Sequence, residues 1–228
     1  MHNVKADMRN VLFATAFLLV ASPALANHDV RHAFQQSIPA DGIHRVTIEI
    51  PAGDVSVRNG ASNSLVVKGY AKREYDGTDP KDTNQKLVDD ISADFYVNHE
   101  EAVVRRRFGP NARGWRASHF TDFHITVEVP AGTSVEFATK YGDVDIDGVF
   151  GDVLVDLRAG DVTVRTPRAN VRELSASCRV GDVTTNLGHE IISRSGLFPG
   201  TTRWEKNDGT SRLNLHVTAG DIEVKLTQ

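Results

Sequence analysis

A single cysteine, Cys178, stands in a chain of 228 residues, which excludes an internal disulfide framework and a cysteine-rich zinc site. Aromatic residues make up only 7% of the chain. Net positive charge is also missing. With 26 Lys and Arg against 30 Asp and Glu the formal charge is −4, so binding that relies on a uniformly basic molecule is excluded and no nucleic-acid partner is expected. The chain has no G-x-S-x-G elbow, no phosphate-cradling G-x-x-x-x-G-K and no H-E-x-x-H pair, so the usual hydrolase, nucleotidase and zinc-protease chemistries are not signalled. Long apolar runs are scarce. Val11–Ala21 is the longest and falls short of the roughly 20 residues that span a bilayer as a helix.

That one apolar run follows Lys5 and Arg9 and precedes Ser22-Pro23-Ala24-Leu25-Ala26, the layout of a secretory signal peptide with an A-x-A cleavage site. Residues 1–26 are therefore expected to be removed, which gives an exported protein, periplasmic, cell-surface or secreted, with no membrane span after cleavage. No cysteine follows the site to carry a lipid.

From residue 38 onward apolar and polar residues alternate in short runs that end in Gly, Asp, Asn or Pro, a strand pattern. Val46-Thr-Ile-Glu-Ile50, Ile91-Ser-Ala-Asp-Phe-Tyr-Val97 and Phe123-His-Ile-Thr-Val-Glu-Val129 each bury one face. One short helix is expected near Asp82–Ile91, where Leu87, Val88 and Ile91 fall at helical spacing.

Repetition is the strongest signal. Gly-Asp-Val or Gly-Asp-Ile recurs at Gly53, Gly142, Gly151, Gly160, Gly181 and Gly220. With Gly151 set aside and Gly200 taken as a degenerate copy, the unit is ~19 residues: a strand, a Gly-centred corner and a second strand. A unit so short cannot bury its apolar side alone, so successive units are expected to stack as coils about 4.8 Å apart. The fold expected is thus all-β: a stacked parallel β-solenoid over residues 131–228, preceded by an irregular, partly antiparallel β region over 27–130. The last strand, Ile222–Leu226, is expected to form an uncovered end through which the chain could self-associate.

These motifs, above all the alternating strand ending in Pro-Ala-Gly at 51–53 and 130–132 and the closing Ala-Gly-Asp-Ile-Glu-Val at 219–224, resemble a bacterial adhesin-like β-strand-repeat family, a domain of unknown function related to the head domains of autotransporter adhesins. The resemblance covers roughly residues 38–228. It implies an exported, mostly non-enzymatic envelope protein, some relatives being linked to envelope stress or antimicrobial peptides, and it brings no catalytic residues and no cofactor.

Several residue groups can carry chemistry. Asp143, Asp161, Asp182 and Asp221 should line one corner on neighbouring coils, either capping local backbone while pairing with Lys140, Arg158 and Arg179, or holding calcium. Asp143-Val-Asp-Ile-Asp-Gly148 imitates the start of a calcium loop but has Leu154 where a bidentate Glu is required. The run 105–116 carries Arg105, Arg106, Arg107, Arg113 and Arg116 with Phe108 and Trp115 interleaved and no acid, and its Gly and Pro content marks a loop. Such a loop could grip an anionic envelope polymer, lipid headgroups or a protein partner; alternatively it is a solvated hairpin tip paired with Glu100 and Glu101 and with acids of the solenoid. Asp122 and His124 share a strand face but supply only part of a zinc site, and Cys178 falls on the apolar side of its strand with Ala176 and Val180.

The function expected is a non-catalytic, adhesin-like envelope protein that binds a surface polymer, lipid or protein. Two alternatives stay open: a polysaccharide-cleaving enzyme built on Asp143, Asp145, Asp161 and Asp182, and a sensor of cationic peptides.

Overall fold

The computed structural model describes residues 29–75, 80–112, 121–187, 193–195, 200–206 and 208–228. The expected signal peptide lies outside them, as do Arg113, Trp115 and Arg116.

Alternation becomes strand wherever it was read. In the first half these are β1 (Asp29–Pro39), β2 (Arg45–Glu49), β3 (Asp54–Asn59) and β4 (Ser64–Glu74), then β5 (Ile91–Asn98), β6 (Glu101–Phe108) and β7 (Asp122–Val129). One helix, α1 (Lys81–Asp89), follows β4, with Pro80 at its start and Val88 buried. The second half holds β8 (Ser134–Phe137), β9 (Val144–Asp147), β10 (Val153–Ala159), β11 (Val162–Pro167), β12 (Val171–Val180) and β13 (Val183–Thr185). It ends in β14 (Ser193–Ser195), β15 (Gly200–Glu205), β16 (Ser211–Ala219) and β17 (Ile222–Thr227).

The strands form two sheets whose apolar faces meet in one core. The first runs β1-β4-β7-β3-β9-β11-β17-β13 and the second β14-β15-β12-β16-β10-β8-β2-β6-β5. Val55, Val57, Ile146, Val164 and Val224 of the first face Ile48, Phe137, Val155, Leu157, Leu215 and Val217 of the second, all almost fully buried. Each such aliphatic side chain contributes about 1.5–3 kcal/mol relative to an exposed one.

A uniform parallel solenoid is not what the sheets form; both are mixed. Pairing is parallel from β7 to β13 in the first sheet and from β6 to β12 in the second. It is antiparallel at the flanks, where β1, β4 and β7 pair in turn, β5 pairs β6, and β12, β15 and β14 pair in turn. A strand–corner–strand unit sends one strand to each sheet and so leaves its neighbours parallel, whereas the short connections β5–β6 and β14–β15 must return antiparallel. Connection length does not account for the antiparallel pairs β1–β4, β4–β7 and β12–β15, which join strands distant in the chain. Strands from either side of residue 130 share both sheets: β2 and β3, joined by the Gly53 corner, dock directly on β8 and β9.

The units do not stack in chain order either. β16 lies between β10 and β12, and β17 between β11 and β13. The last strand is therefore bonded on both sides rather than forming an uncovered end, and Asn186 adds two bonds to the Leu226 backbone. The outer edge of β12 is occupied by antiparallel β15, which leaves the inner edge for the final unit. Gly200 is part of that antiparallel strand, opposite Cys178, and is not a corner.

The true corners need glycine. Gly53, Gly142, Gly160, Gly181 and Gly220 have φ between +116° and +136°. A Cβ on Gly160 would sit 2.2 Å from the Gly142 carbonyl oxygen, and one on Gly220 2.1 Å from that of Gly160. Only a residue without a side chain lets neighbouring units approach this closely.

Candidate functional site: two charged rows beside one corner

Each corner aspartate bonds the next unit rather than its own turn. The Asp143 amide donates to Asp54 Oδ1 (3.0 Å), Asp161 to Asp143 Oδ1 (3.0 Å), Asp221 to Asp161 Oδ1 (2.8 Å) and Asp182 to Asp221 Oδ1 (2.8 Å). This ladder runs in spatial order: the carboxylates of Asp54, Asp143, Asp161 and Asp221 each accept from the backbone N–H of the next corner aspartate, and Asp182 closes it with its amide. Among the described residues no three or more His, Cys, Asp or Glu converge as metal ligands. In the Asp143–Asp147 stretch, Asp145 pairs with Arg165 at 2.8 Å.

The basic residues before the corners do not pair with those acids. Lys140, Arg158 and Arg179 are exposed and form no ion pair among the described residues. They point from the outer face of the second sheet, while the aspartates lie beyond the glycine turn toward the first. Register aligns them. Lys140 N donates to Pro51 O and Arg158 N to Lys140 O, and the Val217 and Ala219 pairings place both Arg158 and Arg179 beside Thr218. On the far side, Glu49 opposite Arg105 puts Arg107 level with Pro51. Arg107, Lys140, Arg158 and Arg179 thus lie in one line across six neighbouring segments, about 24 Å at the usual strand spacing.

The arginine run expected as a loop is instead strand as far as Phe108, and strand alternation splits it. Arg105 bonds Glu49 and lies 5.3 Å from the Tyr96 ring centroid, and the Glu49 hydrogen bond raises its pKa. Arg107 reaches Asp94 at 3.2 Å. Arg106 turns inward between Phe108 and Phe123, and burial pushes its pKa down to about 10.

Register also assembles a group that spacing along the chain did not reveal. Arg31 lies 3.6 Å over the Tyr70 ring, Tyr70 stacks on His124 at 4.7 Å, and His124 Nδ1 is 2.9 Å from Asp54 Oδ2. These four residues cross β1, β4, β7 and β3 and join the aspartate ladder at its first member. Asp122 shares the outer face of β7 with His124 and stands opposite Lys72.

Cys178 is buried with Ala176, and its thiol donates to Gly220 O at 2.8 Å; Val180, expected beside it, is exposed. Burial pushes the thiol pKa up. Open depressions on the outer face of the second sheet, of about 370 and 280 Å³, are lined by Arg45 and Arg212 together with Glu100, Glu101, Glu136 and Asp152, so neither carries one sign of charge. None of the helices among the described residues is long and apolar enough to cross a membrane.

No family model matches the chain, and no curated protein does. Among solved structures, the chain is similar to a proposed cell adhesion protein from Clostridium sporogenes, with 13% identity and a TM-score of 0.46 over 86% of this chain and 100% of that one. It is also similar to a proposed adhesin from Bacteroides fragilis, with 10% identity and a TM-score of 0.29 over 85% of this chain and 97% of that one.

Proposed function

We propose that the chain is an exported, non-catalytic, adhesin-like protein of the cell envelope that binds an anionic surface polymer along the row Arg107, Lys140, Arg158 and Arg179. The observation that carries this reading is the row itself: three of its four cations lack an acid partner among the described residues, and sheet register holds them in a line. A line of fixed cations suits an extended polyanion better than a compact ligand, because every charge can be met without bending the polymer. Of the aspartates in the enzyme alternative, Asp143 and Asp161 each spend an oxygen on a structural backbone bond and Asp145 pairs with Arg165, which favours binding over catalysis. The expected arginine segment enters this reading through Arg107.

The test is retention of the mature protein on an acidic polysaccharide, a neutral polysaccharide and anionic vesicles at low and high salt. Salt-sensitive retention on an anionic support, lost when Arg107, Lys140, Arg158 and Arg179 are all changed to Gln with β-structure intact, is the expected result. Retention by that variant equal to wild type overturns the assignment of the row.

A further inference from the structure

At the end of the molecule where β1 and β5 meet, the face of β6 that carries the buried Ala102 and Val104 continues to Arg106 and then to Phe108, which is exposed. The two sheet edges are tied there by a bond from Phe95 N to Gln36 Oε1 (2.9 Å), and α1 packs over β1 and β4. A stack of His32, Phe34 and Phe123 lines the same interior, with centroid separations of 6.5 and 5.6 Å. The Arg106 guanidinium sits 4.4 Å from the Phe123 centroid and 4.9 Å from that of Phe108.

Its hydrogen bonding is incomplete in a specific way. Nη1 is 3.5 Å from the Ala52 carbonyl oxygen, but Nε and Nη2 are buried and have no hydrogen-bond partner among the described residues. Those two nitrogens form one edge of the guanidinium plane, the edge that grips a carboxylate or phosphate with two parallel N–H···O bonds. Thr121 Oγ1 is likewise buried and without a partner among the described residues, and strand alternation puts Thr121 on the face of Phe123, whose ring carries the guanidinium. A buried donor without an acceptor is destabilising, and a cationic one more so. Its neighbours Arg105 and Arg107, facing the other way, both reach carboxylates.

We propose that Arg106 is the receptor of an oxyanion site, taking a carboxylate or phosphate group on its Nε–Nη2 edge, with the Thr121 hydroxyl as a further donor and the Phe108 and Phe123 rings as an apolar wall. Burial leaves the group cationic at neutral pH, since its pKa falls only to about 10. The site is separate from the cationic row, because Arg107 points to the opposite face of the same strand. The anion has two possible sources, a small free oxyanion or the headgroup of an amphiphile whose chain lies against the phenylalanines.

The experiment follows the arginine Nε–H signals of the ¹⁵N-labelled mature protein by NMR during titration with inorganic phosphate, acetate and decyl phosphate below its micellar concentration. One signal, absent from Arg106→Lys, should shift saturably. Arg106→Lys, which keeps the charge and loses the fork, should bind at least about tenfold more weakly when followed by the backbone amide signals of Phe108 and Phe123, as expected for a lost bidentate charge-assisted contact. Thr121→Val should weaken binding by a smaller factor, and decides the matter together with the wild-type titration if the Arg106 variant does not fold. Tighter binding of decyl phosphate than of phosphate identifies a headgroup site; equal binding identifies a free oxyanion. The proposal is overturned if no arginine signal responds to any probe, or if the response persists in Arg106→Lys. It is also overturned if Asp76→Asn with Asp79→Asn shifts the Arg106 signal in the free protein, since the fork would then hold a carboxylate of this chain.

Discussion

Replacing Gly160 with Ala tests the corner most sharply, because this glycine has a neighbouring unit on each side. Its φ of +133° is a conformation that side chains avoid, with a strain of about 1–3 kcal/mol. The new Cβ would also meet Gly142 O at 2.2 Å and Gly142 C at 2.7 Å, backbone atoms that cannot swing aside. Relief requires the two units to separate where Gly142 N bonds Ala159 O (3.1 Å) and Asp161 N bonds Asp143 Oδ1 (3.0 Å), each worth roughly 1 kcal/mol. The total is about 3–5 kcal/mol, read as a shift in the urea midpoint or, for a chain of this length, a fall in Tm of roughly 6–20 °C. Gly132→Ala is the control. Gly132 has φ +84° but nothing within 4 Å of its missing Cβ, so it should show only conformational strain of about 1–2 kcal/mol. Equal losses in the two variants, by circular dichroism and Trp204 fluorescence, would refute the close approach of units as the reason for glycine.

Asp161→Ala should cost about 0.5–1.5 kcal/mol through the lost acceptor for the Asp221 amide, whereas Asp161→Asn, which keeps that oxygen, should be nearly neutral by urea unfolding; equal destabilisation would point to the charge instead. Glu128 is held below the usual carboxylate range by hydrogen bonds from Lys68 first and Arg58 second. A depressed native pKa stabilises above the unfolded value and is lost as pH falls, so the stability gap between wild type and Glu128→Gln should shrink as pH drops below about 4.3. A gap independent of pH across that range would contradict the ion pairs. The Cys178 thiol, buried and bonded to Gly220 O, should react with a thiol reagent only when urea unfolds the chain; rapid labelling of the native protein would show an open corner.

Much of this was legible from local rules. Alternation located the strands, and the Gly-Asp-Val series located the corners, because both depend on neighbouring residues. What alternation could not give was partnership. Nothing local to 222–226 says that the last unit enters between β11 and β13, since that depends on β15 taking the outer edge of β12. The same limit hid the Arg31, Tyr70, His124 and Asp54 chain, whose members meet only through the register of four strands. Arg106 is a different case. Counting by twos from Ala102 and Val104 places it inward, but its position among other arginines and beside Gly109-Pro110 favoured a loop, and burying a cation runs against composition-based expectation.

The most direct test of the account is the salt dependence of binding to a linear polyanion by the mature wild-type protein and by single Gln variants of Arg107, Lys140, Arg158 and Arg179. Four phosphate-like contacts predict a slope of log affinity against log salt of roughly −3, and each single variant should reduce its magnitude by about 0.7–0.9. A slope unchanged in all four variants would contradict the claim that this row is the binding surface.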